Sequence, residues 1–266
     1  MPNLIVPATT PDRDGRVLSI TPQTAGWEYV GFQVFRLSEG QTLSRATGDQ
    51  EAALVLLSGR ADVKAGGESW DNIGKRMSVF EKTPPYTVYV PSQQQYEVKA
   101  LTEIELAVCL APGQGNHRPR LIEPQDVGVE NRGSGSMSRL VHNILPEQMP
   151  ADSLLVVEVF TDGGNWSSYP PHKHDRDELP EESLLEETYY FRIEPVQGFA
   201  VQRVYTDDRS LNETMAVKDG EAVIVPEGYH PVSAPPGYDV YYLNVMAGPK
   251  RIWKFRNDPD HDWLMR

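Results

Sequence analysis

Two stretches of this 266-residue chain run through the same succession of features. Residues 86–113 read YTVYVPSQQQYEVKALTEIELAVCLAPG and residues 221–248 read EAVIVPEGYHPVSAPPGYDVYYLNVMAG. Each is an apolar run ending in Val-x-Val-Pro, a polar turn, and a return through two further apolar runs. The parallel extends upstream. EAALVLLSGRADVKA, opening at Glu51, matches ETYYFRIEPVQGFAVQRVYT, opening at Glu187, and GFQVFRLSEG matches SLLVVEVFTDGGNW. A chain that repeats a unit of about 100 residues is built from two copies of one supersecondary plan. The period-two alternation in GFQVFRL and the β-branched and aromatic runs make that plan a sheet. Helical periodicity is scarce, and 22 prolines and 21 glycines punctuate short runs. The expected fold is therefore all-β: two tandem β-sandwich barrels of the jelly-roll kind.

Residues 1–125 form the first expected barrel and 126–266 the second, which ends in a tail, RIWKFRNDPDHDW, docked through Trp253 and Phe255. The connection GVENRGSGSMSRLVHNIL breaks the strand rhythm and supports two readings. One is a linker. In the other, Arg132, the turn Gly133–Ser136 and Arg139 cradle an anion, since successive backbone N–H groups and guanidinium groups both attract one.

Composition narrows the function. The formal charge of −13 argues against a nucleic-acid binder, though a pocket on an acidic protein can still be locally basic. The single cysteine, Cys109, lies in an apolar run and reads as a buried small side chain, so no disulfide framework holds the chain. No apolar run reaches membrane-spanning length. A cytoplasmic protein acting on a small molecule is expected, with no nucleic-acid or membrane partner.

Chemistry concentrates in YPPHKHDRDELPEESLLEETYYF. His172 and His174 stand two apart on an extended segment, so both rings project to one side. A carboxylate at the start of the next strand can meet them, and His230 follows in VIVPEGYHPV. Three imidazoles and a carboxylate suit a borderline divalent ion with open coordination positions. His117, His142 and His261 read as structural or surface residues. The first repeat lacks the set, because Gln93, Gln94 and Gln95 occupy the turn that holds His230 in the second and no His-x-His precedes Glu51.

His172-Lys173-His174, a Glu before a strand, and Pro226-Glu227-Gly228-Tyr229-His230 resemble the two motifs of cupins. The chain as a bicupin is similar over nearly its whole length to the 5-deoxy-glucuronate isomerases of bacterial myo-inositol catabolism. The 5-keto-4-deoxyuronate isomerases of pectin breakdown are related to them. The stretches that carry the resemblance are YPPHKHDRDELPEESLLEETYYFRI, VPEGYHPVSAPPGYDVYYLNVMAG and GVENRGSGSMSRLVHNIL. Two departures stand out: a long acidic insertion after His174, and a single residue, Tyr229, between Gly228 and His230.

The resemblance implies a divalent metal, zinc or manganese, on His172, His174, Glu187 and His230. Glu187 is preferred over Glu186 because the family pattern puts the carboxylate immediately before the apolar-aromatic strand, and alternation sends Glu186 outward. Glu178, Glu181 and Glu182 are more distant rivals. The implied reaction is an aldose–ketose isomerisation of 5-deoxy-D-glucuronate to 5-dehydro-2-deoxy-D-gluconate. Glu186, Glu178 and Tyr242 are candidate bases. Lys173, Arg176, Arg192 and Arg251 are candidate clamps for the substrate carboxylate, and a homo-oligomer is expected. An iron-dependent cupin dioxygenase and a non-enzymatic sugar-binding cupin are the rival readings.

Overall fold

The computed structural model describes residues 3–265, and the all-β expectation holds. Among these residues α-helix is confined to the single turn Pro22–Ala25, beside short 3-10 turns. No helix among the described residues is long and apolar enough to cross a membrane. The chain forms two compact units. Among the described residues one takes 8–128 and 143–156, and the other takes 3–7, 129–142 and 157–265, so the chain does not divide between them at one point.

The first unit holds a six-stranded sheet in the order Arg120–Ile122, Thr87–Val90, Gln50–Ser58, Ile104–Pro112, Gly31–Leu37, Arg16–Ile20. A four-stranded sheet runs Thr42–Ala46, Gln95–Ala100, Ala61–Ala65, Glu68–Ile73. Its core includes Phe35, Leu54, Leu56, Val63, Val88, Val98 and Leu106, all essentially inaccessible. These residues recur at every second position of their strands, as burial of one sheet face demands.

The second unit repeats the plan. Its principal sheet runs Ile5–Val6, Ala222–Val225, Glu186–Glu194, Asp239–Ala247, Leu155–Thr161, Arg139–Leu145, Gly128–Arg132, and a four-stranded sheet runs Trp166–Ser167, Val232–Ser233, Phe199–Tyr205, Asn212–Lys218. The consecutive neighbours Ala222–Val225, Glu186–Glu194 and Asp239–Ala247 correspond to Thr87–Val90, Gln50–Ser58 and Ile104–Pro112 in the first unit. The repeat legible in the sequence is thus a repeat of strand order.

The register of the two central strands decides which side chains share a face. Glu187 lies opposite Met246, Tyr189 opposite Asn244 and Phe191 opposite Tyr242. Directly opposed residues of an antiparallel pair point the same way. One face therefore carries Glu187, Tyr189, Asn244 and Tyr242, and the other carries Glu186, Tyr190, Arg192 and Tyr241. Both faces of the central strands are largely buried, which explains why ETYYFRI and DVYYLNVMA read as near-continuous apolar runs rather than alternating ones.

Two small ribbons complete this unit. His172–Lys173 pairs with Arg256–Asn257 of the tail, and Asp175–Glu178 pairs with Glu182–Leu184, which is where the acidic insertion goes. The tail is further fastened by the Asp258 N–H donating to the Pro171 carbonyl at 2.9 Å and by Tyr205 donating to Asp258 at 2.7 Å.

Candidate metal centre

His172, His174 and His230 each bring a ring nitrogen to one spot, with the three atoms within 4.8 Å of one another. Glu187 completes the group: its Oε2 lies 3.1 Å from His174 Nε2 and 3.1 Å from His230 Nε2. Glu186 projects from the opposite face of the strand, away from the histidines.

The backbone fixes the state of two rings. His174 Nδ1 is 3.0 Å from the Leu185 carbonyl, and His230 Nδ1 is 2.8 Å from the Gly228 carbonyl. A carbonyl only accepts, so each Nδ1 carries the proton, and each Nε2 of a neutral ring turns a lone pair toward the centre. Buried His230 Nε2 makes no hydrogen bond, although Glu187 Oε2 is near it. Two acceptors held together in a buried site need a positive charge between them. A donor set of this kind fits a divalent cation: three imidazoles with a ring nitrogen turned inward, one carboxylate, and outer hydrogen bonds that hold them.

Charge within the cluster follows the same geometry. Burial alone would raise the Glu187 carboxyl, but the His230 ring and the contacts from His174 and His230 outweigh it and hold it well below the usual carboxylate range. Burial, with His230 and His174 alongside, pushes His172 well down. Burial works against the charged form of His174 too, but the Glu187 contact prevails and the net shift is upward. Glu187 Oε1 accepts a short hydrogen bond from Asn244 Nδ2, which leaves only Oε2 facing the rings.

The centre opens into a cavity of about 580 Å³ lined by Arg132, Gly133, Ser134, Arg139, Tyr169, His172, Trp253, Phe255 and Asn257 among others. A deeper recess shares Arg132, Arg139, His172 and Trp253 with it, and adds Glu187, Tyr189, Tyr242, Asn244, Ser168, Val141, Val157 and Val159. Phe255 packs on the His172 ring at 4.7 Å between centroids. The tail thus walls the cavity. Ser168, held at φ 48°, sets its Oγ 3.1 Å from the Tyr189 hydroxyl and 3.4 Å from the Tyr242 hydroxyl. Burial raises both phenols, so each keeps its proton.

Of the sequence candidates outside the histidine–carboxylate set, Tyr242 lines the recess. The others do not, and alternation explains most of them. Lys173 lies between the two histidines and so points the other way. It is buried, with Nζ 2.6 Å from Asp175, 3.2 Å from Glu182 and 3.6 Å from Asp207. Arg176 is exposed and pairs with Asp207 at 2.9 Å. Arg192 projects from the far face and pairs with Asp219 at 2.8 Å. Arg251 is partly exposed and absent from both linings. Glu178 is exposed on the insertion ribbon, and buried Glu182 is occupied by Lys173 and the Asp175 N–H. Among the described residues, the guanidinium groups lining the cavity are those of Arg132 and Arg139, from the stretch whose anion-binding reading the sequence left open.

Sequence reading missed Asn244 and Ser168, whose roles depend on a distant partner strand and on a local left-handed backbone. The remaining histidines stand apart from the centre. His142 is buried 2.6 Å from Glu158, His117 is near Asp152, and His261 is near Asp258. In the other unit, Glu51 sits on the strand equivalent to that of Glu187. It is saturated by the Tyr89 hydroxyl at 2.5 Å and the N–H groups of Asp152, Ser153 and Leu154 at 2.6–2.8 Å. With every acceptor site used by backbone and phenol, that carboxylate has no lone pair directed at an ion.

The KduI/IolB family signature matches residues 4–264. The chain belongs to the KduI/IolB family. Among family relatives, the 5-deoxy-glucuronate isomerase of Geobacillus thermodenitrificans (strain NG80-2) is 66% identical over 265 residues, covering 100% of this chain and 97% of that protein. The crystal structure of an IolB-like protein from Salmonella typhimurium LT2 superposes with a TM-score of 0.97 at 53% identity, covering 100% of both chains. Beyond the family, oxalate decarboxylase from Lactobacillus farciminis aligns with a TM-score of 0.71 at 14% identity, covering 100% of this chain and 90% of the other. That likeness carries the cupin fold alone, since fold does not fix chemistry. As a KduI/IolB member the chain keeps its histidine–carboxylate centre inside the second of its two β units.

Proposed function

We propose that this chain is a 5-deoxy-glucuronate isomerase that interconverts 5-deoxy-D-glucuronate and 5-dehydro-2-deoxy-D-gluconate, with a divalent metal, zinc or manganese, on His172, His174, His230 and Glu187. The observation that carries the reading is the convergence of three histidines and Glu187 at one spot, with His172 also lining a sugar-sized cavity. The support from relatives is their shared name over full-length alignments.

The reaction moves one hydrogen from C2 to C1 and another from the C2 oxygen to the C1 oxygen. A divalent ion, when bound, supplies Lewis acidity to the hydroxy-carbonyl pair. The chain's own residues orient and shield the reacting atoms. The carbonyls of Leu185 and Gly228 keep His174 and His230 in the tautomer that offers Nε2. Val141, Val157, Val159 and Trp253 keep bulk water from the recess. Tyr242 and Tyr189, linked through Ser168, hold protonated phenols that donate hydrogen bonds to substrate oxygen. Glu186 and Arg192 contribute no group to this chemistry, because they leave the strand on its other face.

The test is turnover of 5-deoxy-glucuronate by the purified protein loaded with zinc or manganese, followed by NMR loss of the aldehyde and gain of the ketose. His230→Ala should abolish both metal and turnover. Absence of conversion under every divalent-metal loading, or oxygen uptake with bound iron, would overturn the assignment. We further propose a homo-oligomer, which sedimentation of the purified protein tests, and a cytoplasmic location, which cell fractionation tests.

A further inference from the structure

We propose that Arg139 and Arg132 form a carboxylate subsite that selects sugar acids over neutral sugars in the cavity above the histidine centre. The proposal takes from the isomerase reading only the identity of the acid; the chemical class of ligand follows from the cavity itself.

Arg139 is the principal group. It lies at the start of the Arg139–Leu145 strand, and its guanidinium reaches both the cavity and the recess that contains Glu187. One nitrogen, Nη1, donates to the carbonyls of Met137 at 3.0 Å and Tyr169 at 3.3 Å. Those contacts fix the orientation of the fork without neutralising it. Among the described residues no carboxylate pairs with Arg139, which sets it apart from Arg176 and Arg192, each closed by an aspartate. Burial is the largest influence against its charged form; Tyr242 and the more distant Glu130 favour that form and Arg132 opposes it. A half-buried guanidinium, fixed by carbonyls and with no carboxylate in direct contact among the described residues, is complementary to a bidentate anion.

The turn before it is shaped around that guanidinium. Gly133 has φ +75°, and a Cβ there would lie 2.2 Å from the Met137 carbonyl oxygen and 2.7 Å from Arg139 Nη1. Any side chain at 133 would displace the carbonyl that orients Arg139, or Arg139 itself. Arg132 joins from the other side of the turn. It pairs with Glu130 at 2.6 Å and lies over the Trp253 ring at 5.5 Å, so an aromatic face and an ion pair hold it at the cavity wall. Arg139, with the Glu130-paired Arg132 beside it, lines the same recess as His172 and Glu187, so one site offers both guanidinium groups and a metal-binding donor set. An acid with a hydroxy-carbonyl group at one end and a carboxylate at the other satisfies both.

The experiment titrates D-glucuronate and D-glucose into metal-loaded wild type, Arg139→Met, Arg139→Lys and Arg132→Gln, with metal content measured on each. Wild type is expected to prefer glucuronate, and Arg139→Met to lose about 10- to 100-fold of that preference, the range for a charge-assisted hydrogen bond. Arg139→Lys should recover part of it, because it keeps charge but not the planar fork. Metal content should be unchanged in all three variants. On 5-deoxy-glucuronate, Arg139→Met should raise KM, while wild type and variant should differ little on neutral 5-deoxy-D-glucose. Equal binding of acid and neutral sugar by wild type overturns the subsite, as does an acid preference that survives in both Arg139→Met and Arg132→Gln. A wild type that prefers glucuronate but turns over nothing rejects the isomerase reading and upholds the subsite.

Discussion

The carboxylate of Asp175 accepts the backbone N–H of Gly228 at 2.8 Å, joining the segment that carries His172 and His174 to the turn that carries His230. Its other oxygen is 2.6 Å from Lys173 Nζ. Gly228 has φ +89°, and a Cβ there would lie 2.5 Å from the Tyr205 carbonyl oxygen, so the turn is pinned on both sides. The same glycine's carbonyl faces His230 Nδ1. Lys173 therefore contributes to the centre by position rather than by contact. Lys173→Met removes the cation paired with buried Glu182 and leaves Asp175 only the more distant Arg176. The expected result is a loss of about 3–5 kcal/mol in stability, the range for breaking a buried pair from one side, together with weaker metal binding. Denaturant unfolding and metal titration check the two effects. A variant with wild-type metal affinity would show that the link does not position the histidines.

Asn244 offers a gentler perturbation. It donates to Glu187 Oε1 and leaves Oε2 for the rings. Asn244→Ala should fold and bind metal about 10- to 100-fold more weakly, as expected when an outer hydrogen bond to a ligand is removed. Competition against a chelator of known affinity measures it. Unchanged affinity would mean that the strand alone orients Glu187.

How much of this was legible in the sequence depends on where each piece of information resides. His172, His174 and Glu187 lie within one short stretch, and period two alone puts the histidines on one side and Lys173 on the other. The same rule, applied to Lys173, excludes it as a cavity residue. Arg192 stands five positions after Glu187 on one strand, so alternation alone places it on the other face, where register pairs it with Tyr241. For Arg139 no local rule decides, because its strand is remote in sequence from the histidines and Glu187. Asn244 was invisible for a similar reason: its partner is 57 residues away along the chain. The duplicated strand plan was readable because turns and apolar runs repeat. The exchange of residues 3–7 and 143–156 between units was not, because short strands take their partners from tertiary packing.

Glu186 and Glu187 are adjacent and chemically equivalent, so their variants separate position from composition. Glu187→Gln should lose the metal, and Glu186→Gln should retain it. Metal content by mass spectrometry after gel filtration decides. The opposite pattern would reverse the assignment made from the register of this strand.

Cys109 lies at the centre of the Ile104–Pro112 strand with no accessible surface, and burial alone raises its thiol well above the ordinary range. Only the thiolate reacts with alkylating reagents, and both its formation and its access are blocked here. The native protein should resist iodoacetamide at pH 8, and the denatured protein should take up one equivalent. Rapid native labelling would place an opening of the Gln50–Ser58 and Gly31–Leu37 pairings within reach of solvent.

Metal removal should be visible in stability as well as activity, because a ligand that binds only the folded state stabilises it by mass action. His174 and His230 are both buried, and no comparable donor set survives in an unfolded chain. Free zinc or manganese at about a thousand times its Kd should add about 4 kcal/mol. Chelation should lower the melting temperature correspondingly, and re-addition should restore it. In His230→Ala the metal-dependent increment should vanish while the metal-free transition remains cooperative. An equal rise on metal addition in wild type and His230→Ala would place the stabilising ion somewhere other than this centre.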